Sequence, residues 1–267
     1  MAVLRRPYAR ARKLAREVLW ECGVDEPSKI DPFVIVGRRK ILVIYGKLDG
    51  ATAQILRHGE RAIIRVSDQI VQIGRLRFTI AHEVAHYLLG HRIPSEMELG
   101  VTSPFSAHQE READVFATEF LMPEAWVLPL CAAPPTFAAI QTIAKTFRMS
   151  NMASAVRYVE LTSAPCAVVY SENGHVVWAK RSGTFPNRIP AQLKIGEGAL
   201  AHDFHELRPH GDAVREVPAT AWFGSTVPSL AGTSLVEHVD KVPEPGWGGL
   251  LSLLVPSTRE IHHDDAI

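Results

Sequence analysis

The stretch FTIAHEVAHYLLGH, residues 78–91, decides how this chain is read. From Arg75 to Leu89 apolar residues recur at helical spacing, with Phe78, Ala81, Ala85, Leu88 and Leu89 on one face, so an amphipathic helix is expected there. His82 and His86 stand four residues apart on it, one turn from each other on one side, where two imidazoles can ligate one cation. Glu83 projects to the flank, where it can take a proton from a water held by that cation. The alternative is a pair of core histidines, which does not require a glutamate between them.

A catalytic zinc takes three protein ligands and keeps one position open, so a third donor must come from elsewhere. The extended motif H-E-x-x-H-x-x-G-x-x-H needs glycine at 89 and histidine at 92, and this chain has Leu89 and Arg92 there. His91 is therefore expected at the helix C-terminus or on the surface, which suits an imidazole. A second helical period runs from about Ala107 to Leu121, with Ala113, Phe116, Ala117, Phe120 and Leu121 as its stripe, and Met122-Pro123 ends it. Glu110 lies three residues before Ala113, on the extension of that stripe, where an uncompensated carboxylate is costly and a cation would offset the cost. Asp114, one turn on, is placed to accept the other ring N–H of a ligating histidine. Glu112 and Glu119 are expected to point away into solvent. Glu96 and Glu98, between the two helices, stay open as alternative donors.

Outward from this centre, residues 7–22 have the spacing of a first helix, with Tyr8, Ala11, Leu14, Ala15, Val18 and Leu19 inward. The face with Arg6, Arg10, Lys13 and Arg16 is expected to be solvated. Between Arg38 and Ile73 the runs KILVIYGKL, GATAQIL and RAIIRVS are short, β-rich and bounded by glycines, which predicts a small antiparallel sheet. An extended peptide is expected to add as a strand to an edge of that sheet, with residues 61–66 as the stretch to interrupt with proline. After the break at 129–135, Ile140, Ile143, Ala144 and Phe147, then Ala153, Val156 and Leu161, have the spacing of a helix-turn-helix. CAVVY (166–170), HVVWAK (175–180) and LLSLLV (250–255) are strand-like, so a second α+β or mostly β module is expected.

Composition bounds the rest. The 267 residues are 46% hydrophobic and 22% charged, within the globular range, and exceed what one small domain needs. Twenty-nine basic residues balance 29 acidic ones, which gives no general attraction to nucleic acid. Three widely spaced cysteines fit no disulfide framework and point to a reducing compartment. No run approaches the roughly 20 apolar residues of a membrane span, and the basic start lacks a secretory apolar core, so a cytoplasmic protein with no membrane contact is expected.

FTIAHEVAHYLLGH, followed by EREADVFATEFLMP, resembles the ImmA/IrrE family of cytoplasmic zinc metallopeptidases. The resemblance is specific from about Leu76 to Pro123 and extends to the helix-turn-helix of Ile140 to Leu161. It implies His82, His86 and Glu110 as metal ligands, Glu83 as general base to a metal-activated water, and Asp114 as partner of a ligating histidine. It also implies an α+β fold: a zincin-like domain over 1–128, a helix-turn-helix-like segment over 129–163, and a C-terminal α+β module over 164–267, comparable with a GAF-type sensor. The substrate it implies is a helix-turn-helix transcriptional repressor encoded nearby, whose cleavage derepresses stress-response or mobile-element genes. Two nitrogens and a carboxylate favour zinc, and manganese or iron would accept the same set.

Two other readings compete. In the first, the chain is a non-catalytic transcriptional regulator or binding module with a structural metal. Lys145, Arg148 and Arg157 are the basic residues of the helix-turn-helix, too few for six or more phosphate contacts, so DNA binding is not expected. In the second, the C-terminal module senses a ligand in a pocket lined by Trp178, Trp222 and Trp247, although large aromatics are more often core. His91, His108 and Tyr87 are the candidates for stabilising an oxyanion.

Overall fold

The computed structural model describes residues 8–48, 51–59, 61–95, 105–206, 214–224, 232–242 and 249–257. The chain divides into two compact units, Met1–Val127 with Ala144–Ser150, and Leu128–Ile143 with Asn151–Ile267. The fold is mixed α+β, with a small sheet in each unit. Among the described residues no single helix is long and apolar enough to cross a membrane.

The first unit begins with α1 (Ala9–Glu21) and α2 (Pro32–Arg38), where Asp31 caps the N-terminus and Pro32 occupies the first turn. A three-stranded sheet comes next, from β1 (Leu42–Gly46), β2 (Ala53–His58) and β3 (Arg61–Ser67), in the order β1-β3-β2. β2 pairs antiparallel with β3 but β1 pairs parallel with it, so the sheet is mixed and not antiparallel throughout. The reason is burial: Ala62, Ile63, Ile64 and Val66 make β3 the most apolar strand and place it centrally, with β1 joining from the far side. β3 is thus paired on both edges from Ile63 to Val66, and those residues have no free edge for an added strand. The edge strand nearest the histidine-bearing helix is β2.

That helix is α3 (Ile73–Leu88), and it packs against α4 (Ala107–Leu121), which opens with a capping box between Ser106 and Gln109. α1 lies on another side of α4, so α4 is covered on most of its circumference. The Arg77 guanidinium of α3 is buried and donates to the carbonyls of Ile30 (2.6 Å), Phe147 (2.6 Å) and Arg148 (3.2 Å), which fixes the start of α3. α5 (Glu124–Val127) comes after Pro123. α6 (Phe137–Phe147) and α7 (Asn151–Leu161) come next, with Arg148 of the connecting turn at φ 55°.

The second unit holds β4 (Ala167–Glu172), β5 (His175–Arg181), α8 (Leu200–Glu206), β6 (Val214–Pro218), α9 (Thr220–Phe223), β7 (Ser234–Lys241) and β8 (Leu250–Pro256). Its sheet is antiparallel throughout, in the order β5-β4-β8-β7-β6. β4, β5 and β8 coincide with the expected strands, whereas β6 and β7 have no counterpart among them. One core gathers Val169, Leu235, Val239 and Leu254 of the strands with Phe185, Leu200, Trp222 and Phe223. α7 packs against β4 and β5. Trp222 is fully buried in that core, and its Nε1–H donates to Glu237 (3.1 Å). Trp178 stacks on Tyr170, and Trp247 lies outside the described residues.

Candidate metal centre

Two helical periods bring the site together. On α3 the rings of His82 and His86 lie 4.9 Å apart between centroids, as residues four apart on one helix must. On α4 Glu110 and Asp114 repeat that spacing and face the first histidine from both sides. His82 Nε2 is 3.0 Å from Glu110 Oε2, and His82 Nδ1 is 3.1 Å from Asp114 Oδ1. His86 Nε2 is 3.1 Å from His82 Nε2 and 3.8 Å from Glu110 Oε2. One ligand atom from each of His82, His86 and Glu110 falls within 4.8 Å of the other two, a set that could hold a metal ion. The set is graded in exposure: His86 is 1% exposed, His82 17% and Glu110 35%, so solvent reaches it from the Glu110 side.

The electrostatics are set by that placement. Burial pulls His82 down, but the Asp114 hydrogen bond and the charges of Glu83, Asp114 and Glu110 outweigh it, and the imidazole titrates above its ordinary value. Burial, together with His82 and His91 as neighbours, drives His86 down to about 3, so that ring stays neutral. Glu83 is buried beside the pair and accepts a hydrogen bond from the Ile55 backbone N–H of β2. Burial pushes its carboxyl up to about 7, with His82 opposing and Glu110 adding to the rise.

Several expectations from sequence are corrected. Glu112 does not point to solvent: it is 14% exposed and lies 3.3 Å from His91 Nε2. Glu119 is fully buried between Arg12 (3.4 Å) and Arg16 (3.1 Å) of α1. Glu119 is covered because α1 packs on that side of α4, and Glu112 because His91, just past the end of α3, lies against it. The basic face of α1 is accordingly only partly solvated, since Arg16 binds Glu119 and Arg10 donates to the Leu89 carbonyl (2.9 Å) at the end of α3. His91 does follow the C-terminus of α3, but it is buried behind His86, on its Nδ1 side, and is neither at the surface nor facing the ligand atoms. The signal that could have placed it is Gly90. His108 stands beside Tyr8 (5.3 Å between rings) and 4.0 Å from Glu112, and Tyr87 is partly exposed. Glu96 and Glu98 lie outside the described residues.

Residues 36–158 match the family model Peptidase_M78, described as the IrrE N-terminal-like domain. No curated protein matches the chain. Among solved structures, a protein described as "Mycobacterium tuberculosis transcriptional regulator" is similar, with a TM-score of 0.57 and 14% sequence identity, over 92% of this chain and 76% of that one. At that identity the similarity is one of fold.

Proposed function

We propose that this chain, whose residues 36–158 match the IrrE N-terminal-like family model, is a zinc-dependent endopeptidase that hydrolyses a peptide bond in a protein substrate. The observation that carries the proposal is the convergence of His82, His86 and Glu110 with a buried carboxylate, Glu83, alongside. The residues fit a cation. His82 Nδ1 faces Asp114 and its Nε2 faces Glu110, so Asp114 is placed to take the Nδ1 proton and Nε2 is the nitrogen left for a cation. Two imidazole nitrogens and one carboxylate suit zinc, and manganese or iron are accepted by the same donors.

Bound there, the cation would supply Lewis acidity to a water molecule and to the scissile carbonyl. The side chains do the rest. Asp114 accepts the His82 Nδ1 proton and so holds the ring with Nε2 toward Glu110. Glu83 takes a proton from the attacking water and delivers it to the nitrogen of the departing amine. Its raised affinity for protons suits both halves of that task, since a carboxyl near neutrality can accept and then give. The Ile55 N–H, from β2, fixes where that carboxylate stands.

The substrate class we propose is a helix-turn-helix transcriptional repressor encoded beside this gene, cut to relieve repression of stress-response or mobile-element genes. Support comes from the family resemblance, and a structural neighbour described as a transcriptional regulator is in keeping with a setting in transcription. The test is incubation of metal-loaded protein with that repressor, followed by mass spectrometry of the products. A single cut is expected, abolished by chelator and slowed by about 10²-fold or more in Glu83→Gln, with metal still bound. A cut that persists at full rate in Glu83→Gln would remove the general base from the mechanism. No cut by a metal-loaded chain would overturn the substrate assignment.

A further inference from the structure

Behind His86 lies a pair of side chains that the proposed chemistry leaves unused. His86 Nδ1 is 2.8 Å from His91 Nδ1, and His91 Nε2 is 3.3 Å from Glu112 Oε2. The three side chains are 1%, 5% and 14% exposed, so solvent offers them few other partners. The backbone brings them together. Gly90 takes a φ of 72°, its N–H donates to the Tyr87 carbonyl (3.2 Å), and the His91 N–H donates to the His86 carbonyl (3.0 Å). This pairing reverses the chain at the end of α3 and returns the residue after the glycine against the residue three before the cap, positions that here are both histidines. Phe105 stacks on the His86 ring, with centroids 3.6 Å apart and planes within 19°, and holds its plane from another side.

The order of protons is dictated by the acceptor at the far end. A carboxylate only accepts, so His91 presents Nε2–H to Glu112, and a ring that carries one proton then keeps Nδ1 as an acceptor. His86 must then donate from Nδ1, which leaves its lone pair on Nε2, the atom turned toward His82 and Glu110. Asp114 does this for His82 in one step. We propose that His91 and Glu112 do it for His86 in two, as positioning residues that fix the tautomer and ring orientation of the buried metal ligand. The inference rests on the metal-centre reading of His82, His86 and Glu110.

The experiment is zinc affinity, measured by competition with a chromophoric chelator, for wild type, His82→Ala, His91→Phe, Glu112→Leu and Glu112→Gln, with the thermal midpoint of each metal-free protein taken alongside. His91→Phe and Glu112→Leu are expected to bind about 10- to 100-fold more weakly. Glu112→Gln, whose amide oxygen still accepts from His91 Nε2–H, is expected within a few-fold of wild type. The double variant His91→Phe/Glu112→Leu is expected to be no weaker than the worse single one, because both interrupt one chain of hydrogen bonds. If His91→Phe fails to fold, the contrast between Glu112→Leu and Glu112→Gln decides the matter alone. Wild-type affinity in Glu112→Leu, or equal loss in Glu112→Gln and Glu112→Leu, would overturn the relay. The metal-centre reading fails separately, through a wild type that binds no zinc or binds it as His82→Ala does.

Discussion

Glu83 shows what burial does to one side chain. Its folded-state carboxyl is pushed up to about 7 from an ordinary value of 4.5, so between those pH values the metal-free native chain holds a proton that the unfolded chain has released. Stability of the metal-free protein therefore falls as pH rises through that window, by about 3 kcal/mol from this group alone. His86 works in the opposite sense, because its folded value of about 3 lies below the ordinary 6.5, and stability rises with pH between them. The clean measurement is thus a difference. Urea unfolding in chelator from pH 4.5 to pH 8 is expected to show the stability gap between Glu83→Gln and wild type widening with pH, and a gap that stays flat would contradict the raised carboxyl. At this scale His82, Glu83, His86, Glu110 and Asp114 are all readable from spacing, because each helix repeats the same four-residue step. His91 and Glu112 are not, because their placement depends on a reversal of the backbone after Leu88 that side-chain periodicity does not encode.

Elements carry that reversal. Gly90 sits at φ 72° with open space around the position a Cβ would take, so the obstacle to a side chain there is backbone conformation and not crowding. Gly90→Ala is expected to lower the stability of the metal-free protein by about 1 kcal/mol, and to weaken zinc binding in the same direction as His91→Phe by misdirecting the next residue. Urea unfolding and chelator competition on the one variant check both halves, and unchanged zinc affinity would show that His91 reaches His86 without the turn. Gly249 is the converse case, where a Cβ would meet the Tyr170 ring and the Ser171 carbonyl at 2.5–2.6 Å. Element identity is legible wherever the apolar period is unbroken, as in α3, α4 and β8. β7 is hidden in the sequence because Glu237 occupies one of its inward positions. That carboxylate is fully buried and accepts from the Leu200 and Ala201 N–H groups at the start of α8 and from Trp222. A charge there reads from sequence as solvent-facing, whereas its partners come from two segments 15 and 37 residues away. The parallel pairing of β1 is equally invisible, since strand direction is set by which strand is central and not by the residues of the edge.

For the whole molecule, the limits of family similarity and of packing do not coincide. The match to the peptidase family ends at residue 158, inside α7, while every residue proposed to hold or assist the metal lies before residue 115. α7 nevertheless belongs by contact with the second sheet: it packs on β4 and β5, with Ala155, Tyr158 and Val159 buried and Arg157 fully enclosed. The chain also passes from the first unit to the second after Val127, returns for Ala144–Ser150, and leaves again. A truncation ending at residue 164 would keep every proposed ligand yet strip the strands from α7, exposing a fully buried tyrosine and a buried arginine together. Each large apolar side chain returned to water costs about 1.5–3 kcal/mol, a substantial part of the roughly 5–15 kcal/mol that a domain has in total. The 1–164 fragment is therefore expected to bind more of a hydrophobic dye than the full chain and to elute as larger assemblies than the full chain on gel filtration. A monomeric, dye-silent fragment with the zinc affinity of the full chain would show instead that α7 needs no cover from the second sheet.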